Sequence, residues 1–165
     1  MVRSLLRWVL PAGAALLLFA TVGHAQRPPT PTTGMARVWF YRDMAPYSSL
    51  ATPFVRLNGV VAGVSQPGGA SYRDVPPGHY HISVDSYGVD FGQTKDVDLA
   101  PGAEIYAKIV SNDNWIVGGG GGRGGGGYHR DTFYVWLYPA EAARPVIAQS
   151  WFYGGGTLTA QVPPQ

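Results

Sequence analysis

Short apolar runs separated by turn residues recur every eight to twelve positions from Ala36 to about residue 138. This spacing is typical of a β-sandwich or barrel. Within the runs, apolar and polar residues alternate, as in a strand that faces a core on one side. The first run, "ARVWFYR", puts Val38 and Phe40 on one face and Trp39 and Tyr41 on the other. We therefore predict an all-β fold, an antiparallel β-sandwich of about seven or eight strands.

Turn-forming residues mark the boundaries between these strands. Asn58-Gly59 suits a two-residue hairpin because both residues tolerate a positive φ. Pro76-Pro77-Gly78 and Pro101-Gly102 each separate two further strands, and Gly78 is expected to take the positive φ of a type II turn. In the strand that follows Gly78, the alternation predicts three inward-facing side chains: Tyr80, Ile82 and Val84.

The C-terminal part of the chain contains one candidate helix. The last clear strand is "TFYVWLY", residues 132 to 138, and "PAEAARPVIAQ" follows it. This segment predicts a short C-terminal helical turn or two, which Pro145 should limit in length. We assign residues 36–148 to the β-sandwich domain and residues 149–165 to a C-terminal tail.

The first 25 residues have the composition of a secretory signal peptide. Two arginines precede an apolar segment, residues 8 to 20, and a small-residue cleavage site ends at Ala25, before Gln26. The apolar segment is shorter than the roughly 20 residues that span a bilayer, and Pro11 interrupts it. We expect the signal to be removed, which leaves no stable membrane anchor and a periplasmic or secreted protein.

Removal of the signal changes the charge of the chain. The precursor has a net charge of +2, but residues 1–25 hold two arginines and no acidic residue, so ten basic and ten acidic residues remain. Without a basic cluster, we expect no nucleic-acid partner. Residues 26–35 form a Pro/Thr-rich leader of extended character. The chain has no cysteine, so neither a disulfide nor a lipid-anchoring thiol is available.

A glycine-rich segment, "GGGGGRGGGG" at residues 118–127, resembles nucleotide-binding loops only superficially. A Walker-type loop needs Lys and then Ser or Thr after its last glycine, and Tyr128-His129-Arg130 stand there instead. A dinucleotide fingerprint needs a following helix, whereas the next segment is β-branched and aromatic. We therefore predict a flexible surface loop between two strands, and no cofactor.

Two histidines are the strongest candidates for chemistry. His79 and His81 lie two apart on a predicted strand, so both project from one face. They could begin a zinc or copper site that Asp85 or His129 completes. The alternative is an ordinary polar surface. Because the chain also lacks a Gly-x-Ser-x-Gly nucleophile elbow, we predict no catalytic residue and a non-enzyme, with a metal-binding protein or metal-dependent enzyme as the alternative.

Aromatic side chains recur on the outward faces of the first and last strands. If these strands are neighbours, the rings form a strip that could bind envelope carbohydrate or an envelope protein, because rings offer a large contact area at low entropic cost. The alternative is a second core covered by residues 140–148 and 151–153, which we favour because large exposed apolar patches are unusual. The strip comprises Trp39, Tyr41, Tyr134, Trp136 and Tyr138.

Four segments carry a family resemblance: "ARVWFYR", "VRLNGVVAGV", "YRDVPPGHYHISV" and the strand after "APGAEIYAKI". Together they resemble the bacterial family called domain of unknown function 2846, over roughly residues 36 to 148. The Pro-Pro-Gly-x-x-x-Ile-x-Val piece is also similar to surface β-domains named after a Pro-Glu-Gly-Ala motif. The resemblance implies an exported β-domain, often lipid-anchored and without an agreed activity, although this chain lacks the anchoring cysteine. We expect a non-catalytic, envelope-associated binding or structural module.

Overall fold

The structure is a computed structural model that describes residues 30–45, 48–86, 94–116 and 128–158, with side chains except at 113–116 and 128–130. The predicted signal peptide, its cleavage site at Ala25 and Gln26, the first residues of the leader and the glycine-rich loop lie outside these ranges. The described residues form nine strands and one helix, arranged as two sheets. The fold is all-β with a short C-terminal helix, as the sequence predicts.

Five strands form the first sheet, here called the large sheet. In spatial order they are β8 (Tyr128–Tyr138), β7 (Glu104–Ile116), β1 (Ala36–Tyr41), β4 (Gly69–Val75) and β9 (Trp151–Thr157). The pairings β1–β7 and β4–β9 are parallel, and the others are antiparallel. The second sheet is antiparallel throughout and contains β3 (Val60–Val64), β2 (Phe54–Leu57), β5 (Gly78–Val84) and β6 (Lys95–Leu99).

The main core lies between the two sheets. Val38 and Phe40 of β1 face it together, as predicted from their alternation with Trp39 and Tyr41. From the second sheet, Ile82 is fully buried in this core, and Tyr80 and Val84 pack against it, so the inward face predicted for β5 is confirmed.

The turns follow their local sequence closely. Asn58 and Gly59 have φ values of 50° and 80°, the positive pair that a type I′ hairpin requires. Gly102 has φ 75°, and Ala103 N donates to Ala100 O at 3.0 Å, which closes the predicted turn at Pro101-Gly102. Strand period and turn chemistry agree here, which is why these boundaries were predictable.

The segment at Pro76-Pro77-Gly78 differs from the predicted type II turn. Gly78 does have a positive φ, but its value of 155° is far from the roughly 80° of that turn. The reason is topological, because β4 and β5 belong to different sheets and the segment is a corner between them. The hydroxyl of Tyr80 donates to Pro76 O at 2.8 Å and holds this corner.

The helix is longer than predicted. Helix α1 (Ala140–Gln149) has ten residues and continues through Pro145, which cannot donate to the carbonyl of Glu141. Ala143 is fully buried against the large sheet, and Val146 and Ile147 pack beside it. Tertiary packing of this apolar face supports the helix across the missing hydrogen bond.

The predicted C-terminal tail, residues 149–165, contains strand β9. Its sequence, WFYGGGT, has no strand-like alternation, so the local pattern gave no signal. Parallel pairing with β4 forms the strand instead. Gly155 lies against the ring of Tyr72, where a Cβ atom would stand 2.1 Å from a ring carbon. This close approach explains a glycine at that position.

Gly155→Ala should destabilise the protein by about 1–3 kcal/mol, because overpacking a filled site forces neighbouring atoms to move. Gly156→Ala is the matched control, since a Cβ atom there meets no atom within 4 Å. Urea unfolding of both variants measures the difference. Equal stability of the two variants would contradict the packing of β9 on Tyr72.

Candidate functional site

The predicted aromatic strip requires β1 and β8 to be neighbours, and they are not. Strand β7 lies between them, because β1 pairs with it in parallel. The register places Trp39 opposite Tyr106, and Tyr106 opposite Tyr138. The aromatic residues of β1 and β8 therefore share the outer face of the large sheet, but an intervening strand separates them.

The two aromatic residues of β1 are buried. Trp39 and Tyr41 form a second core with Tyr72, Tyr106 and Ala143, so helix α1 covers them. Burial, together with the charge of Asp43, raises the pKa of Tyr41 to about 12. The assignment of Trp39 and Tyr41 to a binding surface was therefore wrong, because the sheet's central strand is covered on both faces. The alternative of a covered second core is confirmed for these two residues.

The aromatic residues of β8 lie beside the helix instead of beneath it. Trp136 is 52% exposed and Tyr138 is 37% exposed, whereas Tyr134 is half-buried. An ammonium group approaches each exposed ring. Lys95 Nζ lies 5.6 Å from the centre of the Trp136 ring, and Lys108 Nζ lies 5.1 Å from that of Tyr138. We call Trp136 and Tyr138 with these two lysines the β8 aromatic site.

The two lysines differ in their electrostatic surroundings. Lys108 forms an ion pair with Asp43, which compensates its charge locally. Lys95 forms no ion pair within the described residues. Its ammonium therefore leaves a net positive charge beside the indole of Trp136, where a cation and an aromatic face attract each other.

A charged row borders the buried aromatic residues on the same sheet face. Arg37 donates to both carboxylate oxygens of Asp74, from Nε at 2.7 Å and from Nη2 at 2.8 Å, and Thr32 adds longer hydrogen bonds to Oδ2. Burial alone would raise the pKa of Asp74, but these hydrogen bonds and the charge of Arg37 hold it below its ordinary value. The pair joins β1 to β4 and fastens the leader.

Glu104 continues this row on β7. Its carboxylate accepts hydrogen bonds from Tyr106 Oη at 2.8 Å, Arg144 Nη2 at 3.0 Å and Trp39 Nε1 at 3.3 Å. Burial opposes ionisation of Glu104, but the three donors lower its pKa overall. Arg144 belongs to α1, so this cluster fixes the helix on the sheet.

His79 and His81 lie on the exposed face of β5, as predicted. Each imidazole stands opposite a carboxylate of β6: His79 Nδ1 is 3.0 Å from Asp98 Oδ1, and His81 Nδ1 is 2.7 Å from Asp96 Oδ1. The two pairs form a cross-strand ladder on a solvent-facing surface.

Asp85, one of the two residues expected to complete a metal site, does not join the histidines. Asp85 instead accepts two hydrogen bonds from Arg56, at 2.8 and 3.0 Å. The side chain of His129 lies outside the described part of the chain. Among the described residues, no three His, Asp or Glu side chains are grouped so as to hold a metal ion. Metal binding by His79 and His81 stays a hypothesis.

Neither Lys95 nor Lys108 was predicted from the sequence as part of a site. Residues 151–153 were expected to help cover the second core, but they lie on the edge strand β9 and are largely exposed. Period-two alternation in "EIYAKIV" does place Lys108 on one face with Glu104 and Tyr106, so part of the signal was present. Which strands lie next to that face depends on long-range pairing, and no local pattern encodes it.

In comparisons with known proteins, no family model, no curated protein and no solved structure matches the chain. The resemblance to domain of unknown function 2846 stays a prediction. Within the described ranges, no helix has both the length and the apolar character needed to cross a bilayer.

Trp39→Ala should cost about 3–5 kcal/mol of unfolding free energy, as expected for a large buried ring. Trp136→Ala should cost less than about 1 kcal/mol, because half-exposed surface residues contribute little. Chemical denaturation of both variants tests this contrast. A larger loss for Trp136→Ala would mean that β8 is covered and that the β8 aromatic site is not a surface.

Stability should depend on pH through Glu104. Because its pKa in the folded protein is below the ordinary value of about 4.3, the cluster contributes fully above that value. The contribution is lost as the pH falls through the lower, folded pKa. The stability difference between the wild type and Glu104→Gln should therefore be largest above about pH 5 and shrink on acidification.

Unfolding experiments between about pH 2 and 7 measure this difference. Glu141→Gln is the control, since Glu141 is an exposed glutamate in the first turn of the same helix. A wild-type advantage that grows on acidification would reverse the sign and contradict the role of the carboxylate.

Proposed function

We propose that this protein is an exported, non-catalytic binding or structural module of the cell envelope, and that it binds its partner through the β8 aromatic site. The observation that carries the proposal is the pair Trp136 and Tyr138. Both rings are exposed on an edge strand of the large sheet, while the aromatic residues of its central strand are covered.

The geometry of the site supports contact with a flat or extended partner. Residues two apart on a strand project from the same face, about 7 Å from one another along the strand. On the opposite face of β8, Phe133 and Val135 pack in the main core. This packing holds the backbone of the strand in place. Two aromatic rings on a rigid strand provide a large contact area with little loss of side-chain entropy.

Envelope carbohydrate and an envelope protein both fit this chemistry. Sugar rings and apolar protein side chains can each pack against an aromatic face. The positive charge of Lys95 beside Trp136 favours a partner with anionic groups near the ring, since complementary charges speed association and fix orientation. The partner would be reached after export, which rests on the predicted signal peptide.

A non-catalytic role is part of the proposal and rests on the sequence, which lacks a Gly-x-Ser-x-Gly nucleophile elbow. The predicted signal peptide and the family resemblance both favour a role in the envelope.

The double variant Trp136→Ala/Tyr138→Ala should bind the envelope at least about 10-fold more weakly than the wild type, equivalent to about 1.4 kcal/mol. Truncating exposed aromatic anchors commonly costs this much at an interface. Co-sedimentation with purified cell-wall polysaccharide, and separately with the protein fraction of the envelope, measures the binding. The fraction that retains the wild-type protein identifies the partner class.

Trp151→Ala is the matched control, because Trp151 is an exposed tryptophan on the opposite edge of the same sheet. It should leave binding unchanged. Wild-type affinity in the double variant, or an equal loss in the control, would show that the β8 aromatic site is not the contact surface.

A further inference from the structure

The opposite edge of the large sheet exposes a second aromatic group. Strand β9 pairs only with β4, so its other side is free within the described residues. Trp151 is 74% exposed, Phe152 50% and Tyr153 45%. The strand contains no charged residue and no proline. Exposed edges of this kind pair readily with another strand, and proteins usually protect them with charge, proline or a covering segment.

Two other edges of the sandwich carry such protection. Strand β6 has three charged residues among five: Lys95, Asp96 and Asp98. Strand β8 includes Asp131, and Phe133 N donates to the hydroxyl of Ser86, which follows β5. The last edge, β3, is uncharged but exposes only Val61 and Val64 among its large apolar residues. Strand β9 thus combines an uncharged, unpaired edge with three exposed aromatic residues.

Neighbouring side chains enlarge this surface. Trp151 N donates to Gly68 O, and the backbone at Gly68 lies against Met44, whose side chain is exposed. Val64 and Tyr153 line one small cavity. We call the surface formed by Met44, Val64 and Trp151–Tyr153 the β9 patch. Its members carry no charge.

We propose that the β9 patch is a self-association surface, on which the β9 strands of two copies pair antiparallel about a two-fold axis. A two-fold contact brings the same surface of each copy together, so that surface must tolerate its own charge. The β9 patch meets this condition because it is uncharged. After signal removal the chain holds ten basic and ten acidic residues, so no net repulsion opposes the contact.

The area available is consistent with a weak to moderate dimer. A whole aromatic side chain has a surface of about 150–250 Å². Scaled by the exposed fractions of Trp151, Phe152 and Tyr153, the three side chains present about 350 Å² per copy, or about 700 Å² for two copies. Stable interfaces bury about 1,200 Å² or more in total. Met44, Val64 and the strand edge must supply the remainder. The bulge at Tyr153–Gly154 interrupts β9, so backbone pairing sets the orientation and the apolar side chains supply most of the affinity.

Sedimentation measurements of the oligomeric state test this proposal, with the protein purified from cells after any processing there. The wild type should change from monomer to dimer as its concentration rises through the micromolar range. Trp151→Lys adds a positive charge to the β9 edge of each copy. This variant should therefore remain monomeric over the same concentration range. Trp136→Lys, a charge on the opposite edge strand, should dimerise like the wild type.

Hydrogen exchange of the β9 amides provides the second measurement. Exchange at residues 151–157 should slow at dimer-forming concentrations in the wild type and in Trp136→Lys, but not in Trp151→Lys. All three proteins should retain the same melting temperature when dilute, which excludes unfolding as the cause.

A wild type that stays monomeric at every concentration would overturn the proposal. So would a Trp151→Lys variant that still dimerises, or a Trp136→Lys variant that does not. Envelope binding depends on the other edge of the sheet, so loss of dimerisation and loss of envelope binding are separate outcomes.

Discussion

The buried ion pair between Arg37 and Asp74 joins the two strands at the centre of the large sheet's outer face. The guanidinium also lies over the ring of Tyr72, at 3.8 Å. Removing one partner of such a pair typically costs about 3–5 kcal/mol, because the other charge stays buried without compensation. Tyr72 in turn stacks on Phe152 and faces Gly155, so the position of β9 depends on this pair. The leader depends on it too, through Thr32.

The same alternating pattern leads to opposite outcomes on two strands of one sheet. In β1, outward-facing Trp39 and Tyr41 lie on a central strand, and helix α1 covers them. In β8, outward-facing Trp136 and Tyr138 lie at the edge, beyond the helix. A ten-residue helix is about 15 Å long and about 10 Å wide, so it covers about two strands of a sheet. Position in the sheet, and not residue type, decides which rings contact solvent.

The exposed rings lie at the two edges of the large sheet, one group on β8 and the other on β9. Because the two groups lie on opposite edges of the sheet, neither blocks the other, and each can be altered by mutation without changing the other.

Local sequence determined the parts of this protein that depend on short-range physics. Strand period and turn chemistry predicted an all-β fold of about seven or eight strands, where the structure has nine, together with the positive φ values at Asn58-Gly59 and the inward face of β5. The outward position of His79 and His81 followed from the same alternation. These features arise from steric limits on φ and from side chains alternating across a strand, both of which act within a few residues.

Tertiary structure alone decided which strands are neighbours. The parallel pairings β1–β7 and β4–β9 join segments more than 60 residues apart in the sequence. No local periodicity of the sequence predicts such pairings. They separate β1 from β8, bury Trp39 and Tyr41, and turn the expected tail into a strand. The candidate site therefore retains two of the five predicted aromatic residues, Trp136 and Tyr138. Hydrogen bonds between distant strands, together with the helix that covers their centre, determine which of the predicted aromatic residues can meet a partner.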